Sequence, residues 1–485
     1  MAEDIGVPSL GDVAQAHVMM PMPLRSHRPC CFNLGCFLAP CGNSNGSTVF
    51  EIMQSSKLPR SPRASPRARG TSPSSSNFEE ELPEECPVSH NDVLRERYQV
   101  ISRLSSGNFS SVWLCRDVGG DDRDAVAVKV LKSAAEFQAI ARMELRLLKT
   151  VRHTARKLAK ESDVAGHLAS RCVVRMLDHF EFTSPEGVHP CFVLERLGPS
   201  LMDLAKTCKR LPHQLVQAAA RDALSGLDFL HRRCGIVHSD IKPEHILLRL
   251  DGEFGAAGMP AAAALRGRGA AKEALRVASS AGSSATFALA DLGNGYFKVE
   301  RPVTSDDCPL IQTREYRSPE VLLGAGYTET ADIWSLACTL FEVATGELLY
   351  DPRCTQRRSV VFCADGRVPV EEEHLAQIVE LLGPLPEAML ARGRLTSMLL
   401  VSGVPGGAAG AEARLWANCA LRSAQLPLAY VPQYELFARL RDNLKPLEAS
   451  QLNSVLAPML RPEPADRPAA ASLRVRLLLG PCVSL

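Results

Sequence analysis

The sequence lacks a hydrophobic stretch long enough to cross a membrane. No run of 18 or more apolar residues occurs among its 485 residues, whereas a spanning helix needs about 20. The first residues carry acids and lack a basic flank followed by an apolar core, so we expect no secretory signal peptide. These absences predict a protein that has no membrane partner.

A strong net charge is also absent, because the chain has 55 basic and 54 acidic residues. No global field would attract nucleic acid, so we expect no direct nucleic-acid partner, and any charge preference must come from a local patch. Nothing in the sequence indicates an oligomer, and we expect a monomer.

The cysteines lack the paired CxxC spacing of common zinc sites. Most of the sixteen are scattered singly in hydrophobic runs, which favours buried thiols in a reducing compartment. One cluster, Cys30, Cys31, Cys36 and Cys41, leaves a zinc site open as the less favoured alternative.

The chain divides into a polar tail and a long ordered part. Residues 1–97 are rich in Pro and Ser and include a basic segment, 55–76, so they predict a disordered tail. From Tyr98 onward, alternating β-branched runs are followed by long helical patterns, which predicts a small β-rich lobe, a larger helical lobe and a cleft between them. Residues 251–285 are rich in Ala and Gly and are expected to form an inserted loop.

The strongest motif is the string IVHSDIKPEHILL at 236–248. Two apolar runs bracket a polar turn that holds His238, Asp240 and Lys242. Asp240 is suited to orient a substrate hydroxyl, and Lys242 to balance charge on a transferred phosphoryl group.

Two further strings supply the other parts that phosphoryl transfer requires. Lys129 lies in an apolar strand, where burial is costly without a partner, and Glu144 in the next amphipathic pattern is the expected partner. Asp291 follows an apolar strand and precedes a glycine turn, which suits a metal ligand. A turn with Gly107 between two strands could cover phosphates, although a simple β-turn is the favoured interpretation of that string taken alone.

Taken together, the motifs resemble those of the SR-protein kinases, a family of serine/threonine protein kinases. The resemblance covers roughly residues 95–475 and rests on HSDIKPE, ADLGN, IQTREYRSPEVLLGAGY, ATGELLYDP and EEEHLAQIVELLG. It implies an α+β, two-lobed kinase fold over 98–480, with lobes at about 98–196 and 197–480. It also implies that Arg467 pairs with Glu320 as a structural contact.

The resemblance further implies ATP and Mg²⁺ as cofactors and assigns the contacts. ATP would be bound by Leu104, Gly107, Val112, Lys129, Glu195 and Leu197. Metal ligands would be Asp291 and His245, and substrate contacts would be Thr313, Arg317, Glu347, Glu373 and Glu380. The substrates implied are Arg-Ser-rich proteins of the splicing-factor type, since guanidinium groups pair well with carboxylates. The resemblance places Glu347, Glu373 and Glu380 in an acidic docking groove for the substrate. The alternative is that these three carboxylates form an ordinary solvent-exposed acidic surface. Nucleus and cytoplasm are the expected locations.

His245 is the main departure from the family pattern. Kinases place an asparagine there, whose amide oxygen suits Mg²⁺ better than an imidazole does. Ser105 also replaces the first glycine of the phosphate loop. We expect a slowed or metal-altered enzyme, and a catalytically weak scaffold that binds basic partners is the alternative.

Overall fold

The computed structural model describes residues 87–107, 109–119, 125–249, 267–300, 308–352, 370–401, 420–421 and 435–479. The predicted tail up to residue 86, with its basic segment and its cysteine cluster, lies outside the described residues, as does the first part of the predicted insert. No helix in the described part of the chain is long and apolar enough to span a bilayer.

A six-stranded antiparallel sheet in the order β1-β2-β3-β4-β6-β5 forms the amino-terminal lobe. Its strands are β1 Val93–Leu94, β2 Tyr98–Ser106, β3 Ser110–Asp117, β4 Ala125–Leu131, β5 Met176–Ser184 and β6 Gly187–Glu195. The central strand β4 is almost wholly buried, which its apolar and β-branched sequence AVAVKVL explains. Strand β1, which pairs with β2, lies in residues 1–97, the segment predicted to be a disordered tail, so that prediction is wrong for Val93–Leu94.

Helix α1, Ala135–Lys160, lies against this sheet and carries one side of the cleft. Its buried residues include Ala141, Glu144, Leu148 and Val151, spaced by three or four positions, which is the pattern of one helix face. The one acidic residue on that face is Glu144, so a charge is brought into the cleft on an otherwise apolar surface.

The second lobe is mainly helical. Its helices are α3 Leu201–Ala205, α4 His213–Asp228, α5 Gly267–Ala281, α6 Pro319–Leu323, α7 Thr330–Thr345, α8 Val370–Leu382, α9 Glu387–Arg392, α10 Thr396–Leu399, α11 Leu436–Asn443, α12 Pro446–Met459 and α13 Ala470–Leu479. Helix α2, Val164–Ser170, precedes them in the chain and contacts α1. Helices α4 and α7 are buried along most of their length and form the centre of the lobe. A π-helical turn, Phe229–Cys234, continues α4 and ends at Gly235, whose positive φ of 66° suits glycine.

Short strand pairs line the floor of the cleft. Strand β7, Ile236–Val237, pairs with β10, Tyr296–Phe297, and β8, Ile246–Leu248, pairs with β9, Phe287–Leu289. A third pair joins β11, Leu400–Val401, to β12, Ala420–Leu421. The first two pairs hold the motif at 236–248 beside the segment that contains Asp291.

The expectation of a loop over residues 251–285 is wrong for its second half. Residues Gly267–Ala281 form helix α5, and Ala274 and Ala278 on that helix are fully buried. Alanine has the highest helix propensity, and its small side chain lets the helix lie closely against α3 and α4. The Ala-rich composition therefore reflects a packed helix in these residues.

Candidate active site

Asp332, at the start of α7, holds the loop that carries Asp240 by hydrogen bonds to its backbone. Its carboxylate accepts the backbone N–H groups of His238 at 2.8 Å and Ser239 at 2.7 Å, and His231 Nε2 lies 2.8 Å away. Ser239 has a positive φ of 63°, a conformation that costs free energy in a residue other than glycine. The fully buried Asp332 holds that conformation in place.

Asp240 is the centre of a small hydrogen-bond network. Lys242 Nζ donates to its Oδ2 at 3.0 Å, the Thr313 hydroxyl donates to its Oδ1 at 2.7 Å, and Asn294 Nδ2 donates to Oδ2 at 3.2 Å. Burial alone would raise the pKa of the Asp240 carboxyl, but nearby His245, Lys242 and Thr313 lower it below its ordinary value. Asp240 is therefore an anion at neutral pH and can orient a hydroxyl by accepting its proton in a hydrogen bond.

Thr313 and Lys242 face each other as well as Asp240. Lys242 Nζ lies 3.0 Å from Thr313 Oγ1, so the three side chains form a closed triangle. The sequence assigned Thr313 to substrate contact, and the structure shows that its hydroxyl also positions the Asp240–Lys242 pair. Because Thr313 is well past the DLG segment in sequence, only the folded chain reveals this contact.

Arg317 holds the loop that presents Thr313. Its guanidinium donates to the carbonyl oxygens of Ile311 and Gln312, both at 3.0 Å. Gln312 has a positive φ of 68°, and its side chain also bonds to the Ser318 backbone N–H. Burial, together with nearby Arg314, lowers the pKa of Arg317 to about 10, so this side chain remains charged at neutral pH. Arg317, predicted as a substrate contact, is thus buried and braces the loop from inside through these backbone bonds.

The predicted pair of Lys129 and Glu144 is confirmed as a contact. Lys129 Nζ lies 2.6 Å and 2.9 Å from the two carboxylate oxygens of Glu144, and 2.9 Å from Asp291 Oδ1. Burial opposes the charge on Lys129, but the two carboxylates outweigh it and raise its pKa. Burial raises the pKa of Glu144. Strand β4, helix α1 and the DLG segment thus meet at one ammonium group.

Asp291 and His245 lie together on the opposite side of this group. His245 Nε2 is 3.4 Å from Asp291 Oδ2, while Asp291 Oδ1 accepts from Lys129 and from the Gly293 backbone N–H. Burial would raise the pKa of Asp291, but Lys129 and His245 lower it far below its ordinary value. A permanent carboxylate beside an imidazole nitrogen is a donor set that fits a divalent metal, with phosphate oxygens as its other ligands.

The residues predicted to contact ATP lie in the sheet of the first lobe and where the two lobes connect. Val112 on β3 is the register partner of Lys129 on β4, and neighbouring residues in register share one face of a sheet. Gly107 closes the β2–β3 turn through a 2.9 Å bond from its N–H to the Ser110 carbonyl, and Leu104 lies half-buried on β2. An added Cβ at Gly107 would meet only that carbonyl at 3.6 Å, so glycine is not demanded by crowding there.

Glu195 and Leu197, which lie where the two lobes connect, make different contacts. Leu197 is half-buried and packs against the main hydrophobic core. The Glu195 carboxylate, by contrast, is bonded to the Arg249 guanidinium at 2.8 Å and 3.2 Å and to the Arg175 backbone N–H at 2.9 Å. Its side chain is therefore engaged in holding the lobes' connection, and a contact of Glu195 with ATP would have to come from its backbone.

Two of the three carboxylates predicted to dock the substrate, Glu373 and Glu380, lie on helix α8. Glu373 and Glu380 are seven positions apart on this helix and so lie on the same side. The Gln377 amide bonds to Glu373 at 3.0 Å and to the backbone of Asp351, which connects α8 to the segment that follows Glu347. Glu347 and Glu380 are half-buried, whereas Glu373 is buried, with an exposed fraction of 8%.

Sequence reasoning missed Asn294 and a second group of acids. Asn294 stands in the quoted ADLGN string, but only the fold shows that its amide reaches Asp240. Burial and the negative charges of Glu244 and Glu315 raise the pKa of Glu342 to about 7, which indicates that these three carboxylates lie near one another. Glu244 follows the catalytic Lys242 by two positions, so this acidic cluster borders the site of transfer.

The comparisons with known proteins agree with this geometry. The family described as "Protein kinase domain" matches residues 98–475. The serine/threonine-protein kinase SRPK of Physarum polycephalum is 34% identical over 332 residues, covering 63% of this chain and 72% of its own length. The protein kinase dsk1 of Schizosaccharomyces pombe is 28% identical, covering 61% of this chain and 68% of its own length. For the human SRSF protein kinase 3, the identity is 28% and the shares are 64% and 76%.

The segments that supply Lys129, Asp240 and Asp291 all lie within the matched kinase domain, residues 98–475. The protein kinase domain implies that the chain uses ATP and a divalent metal and acts on protein substrates. The chain therefore belongs to the SR-protein kinase family and is a serine/threonine protein kinase with a two-lobed α+β fold.

Proposed function

We propose that this kinase transfers the γ-phosphoryl group of Mg²⁺–ATP to serine in Arg-Ser-rich proteins of the splicing-factor type, and so regulates mRNA splicing. The observation that carries the proposal is the group of carboxylates next to the catalytic loop: Glu342 accepts the Tyr316 hydroxyl at 2.6 Å, Glu315 directly precedes Tyr316, and Glu244 follows Lys242 by two positions. Carboxylates that repel one another are relieved when a cation binds among them, and a guanidinium can bond to two at once. The name of the human relative, SRSF protein kinase 3, supports the same substrate class.

Each catalytic side chain has a distinct task in this transfer. Asp240 orients the serine hydroxyl, and Lys242 lies beside it to balance the charge of the moving phosphoryl group. Lys129, held by Glu144, is placed to contact the α and β phosphates of ATP. Asp291 and His245 would hold the divalent metal, which would neutralise negative charge on the phosphates of ATP.

A second acidic surface would bind arginines farther along the substrate. Glu347, Glu373 and Glu380 are the proposed docking residues, and the half-buried Glu347 and Glu380 are the more accessible of the three. Two separated acidic surfaces suit a long basic segment, because one holds it while the other presents a serine for transfer.

Radiolabelled ATP and two peptides that differ only in Arg-Ser against Lys-Ser repeats test the substrate proposal. We expect the wild-type chain to phosphorylate the Arg-Ser peptide with a kcat/KM about tenfold higher or more, because lysine cannot form the bidentate bond. Equal transfer to both peptides would contradict the proposed arginine preference. No transfer with either Mg²⁺ or Mn²⁺ would instead favour the scaffold alternative.

Two variants complete this experiment. Asp240→Ala should abolish transfer to either peptide. Glu347→Gln combined with Glu380→Gln should raise KM for a long Arg-Ser peptide with little change in kcat, whereas Glu387→Gln, an exposed change on α9, should alter neither. An unchanged KM in the double variant would remove these two residues from the docking surface.

For the cellular location we propose both nucleus and cytoplasm, since the basic, Ser-rich segment at 55–76 and the proposed substrates suit a protein that enters the nucleus. Imaging of the full-length chain in cells, with and without that segment, checks this proposal. Retention in one compartment for both forms would oppose it.

A further inference from the structure

The structure fixes which nitrogen of His245 faces the metal position. His245 ends the short 3₁₀ turn Pro243–His245, and its Nδ1 lies 2.8 Å from the backbone carbonyl oxygen of Asp240. A carbonyl oxygen can only accept, so Nδ1 carries the proton in the neutral ring. Nε2 is then left with its lone pair, and the ring cannot rotate without breaking the bond to Asp240.

This lone pair is directed at Asp291. His245 Nε2 and Asp291 Oδ2 are 3.4 Å apart. Without a metal, a protonated ring would form an ion pair with this carboxylate, whereas a metal-bound ring would be neutral and direct its Nε2 lone pair to the same position. Two ligands of one metal ion with bonds of about 2.1 Å lie about 3.0–3.5 Å apart, so this spacing suits a shared cation. A histidine whose other nitrogen donates to a backbone carbonyl is also the usual arrangement of a metal-bound imidazole.

The neighbouring histidine does not compete for this role. His238 lies with its ring centre 6.2 Å from that of His245, but its Nε2 bonds to the Ala290 carbonyl and its Nδ1 accepts the Asp240 backbone N–H. Both nitrogens of His238 are therefore engaged, and the ring is fully buried. His245 is the histidine that can present a nitrogen to the cleft beside Asp291.

The protein alone offers too few donors to hold an ion tightly. Among the residues that the structure describes, no group of three or more His, Cys, Asp or Glu side chains gathers as a metal site. An ion at His245 and Asp291 needs further oxygen ligands, which nucleotide phosphates supply. Metal binding at this position should therefore depend on nucleotide.

We propose that His245 is a direct metal ligand and that it makes this position prefer Mn²⁺ to Mg²⁺. The proposal rests on ATP binding in the cleft as described above. Mg²⁺ is a hard ion that takes oxygen ligands, whereas Mn²⁺ accepts an imidazole nitrogen together with carboxylate and phosphate oxygens. The nitrogen and oxygen donors of His245 and Asp291 thus favour Mn²⁺ over Mg²⁺ more strongly than two oxygen donors would.

Pulsed electron paramagnetic resonance of bound Mn²⁺ tests this directly. The full chain is loaded with Mn²⁺ and a non-hydrolysable ATP analogue, once with natural histidine and once with ¹⁵N-labelled histidine. We expect nitrogen modulation of the Mn²⁺ echo that changes from the ¹⁴N to the ¹⁵N pattern on labelling, because only a coordinated imidazole couples strongly enough. The labelling also separates His245 from the nitrogens of adenine. Absence of this change in the wild-type chain would overturn the proposal, and that measurement needs no variant to fold.

Two matched variants locate the signal. His245→Asn should lose the histidine modulation, whereas His167→Asn, the same change at an exposed site on α2, should keep it. In competition for the nucleotide-bound chain, the ratio of Mn²⁺ to Mg²⁺ affinity should fall about tenfold or more in His245→Asn. An unchanged ratio, or modulation that persists in this variant, would refute His245 as the selective ligand.

None of these readouts requires phosphoryl transfer. If the Arg-Ser peptides are not phosphorylated but the histidine modulation is present, the substrate proposal fails and the metal proposal stands. If transfer is efficient with no histidine modulation, the metal proposal alone fails.

Discussion

Glu342 shows how one side chain couples substrate charge to pH. It lies near the end of α7, accepts the Tyr316 hydroxyl at 2.6 Å, and is partly buried near Glu244 and Glu315. Burial and these two charges raise its pKa to about 7, so its carboxyl is about half protonated at neutral pH. The acidic cluster therefore gains a full negative charge as the pH rises through this value.

We predict that KM for an Arg-Ser peptide falls about two- to fivefold between pH 6 and pH 8, since one added charge pair at a partly solvated site is worth up to about 1 kcal/mol. Arginine keeps its charge over this range, so the change comes from the protein. The KM of Glu342→Gln should be flat over the same range, and a slope equal to that of the wild type would exclude Glu342 as its source.

The same group has a defined effect on stability. Its pKa in the folded chain exceeds the ordinary value of 4.5, so between pH 4.5 and pH 7 the folded state binds more protons than the unfolded state. The contribution of Glu342 to stability is therefore full below pH 4.5 and is lost as the pH rises through about 7.

The residues that sequence could identify are those whose type and order carry the chemistry. Lys129, Asp240 and Asp291 stand in strings that phosphoryl transfer requires, and the structure brings all three to one cleft. Asn294 and the second role of Thr313 escaped, because both depend on how distant segments fold back onto Asp240. Sequence patterns do not predict contacts between segments that are distant along the chain.

At the scale of the element, the spacing of hydrophobic residues predicts the long helices and the central strands of the sheet, but not the strand at its edge. The edge strand β5 shows little alternation, because it pairs on one side only and most of its residues are half-buried. Strands of two or three residues, such as β7 and β8, are too short to show any period. Helix α5 was missed because the Ala- and Gly-rich composition of residues 251–285 favours a loop, although Gly267–Ala281 form an amphipathic helix.

Helix α5 offers a direct test of its packing. We predict that Ala278→Glu destabilises the protein by about 2–4 kcal/mol, because it would force a carboxylate without a partner into a fully buried position. Thermal denaturation measures the loss. The adjacent change Ser279→Glu adds the same side chain at an exposed position of the same helix and should shift the melting temperature little. Equal shifts for the two variants would mean that α5 is not packed in solution.

At the scale of the whole molecule, the larger hydrophobic core runs from α1 and β6 of the first lobe into the helices of the second. The sequence indicates two lobes, but the pairs that connect distant elements are set by the complete fold. The predicted contact between Glu320 and Arg467 is confirmed, at 2.7 Å through both guanidinium nitrogens, across 147 positions of sequence. It connects α6, at the end of the substrate loop, to the segment before α13.

This ion pair supports a prediction for the stability of the whole helical lobe. Both side chains are fully buried, and the guanidinium of Arg467 also lies over the ring of Trp334 at 4.9 Å. Arg467→Met would leave Glu320 as a buried charge without its partner, which costs about 3–5 kcal/mol. We therefore expect a fall in melting temperature of about 5 °C or more, with loss of activity only as the chain unfolds.

The matched variants separate lost charge pairing from lost packing. Arg441→Met removes an exposed arginine that lies over Phe437, and it should change the melting temperature little. Combining Arg467→Met with Glu320→Leu removes both charges and should recover part of the loss, because the penalty arises mainly from the unpaired carboxylate. If the double variant is no more stable than Arg467→Met alone, the contribution of Arg467 comes from its bonds to the backbone of Arg461 and Pro462 and from Trp334 rather than from the ion pair.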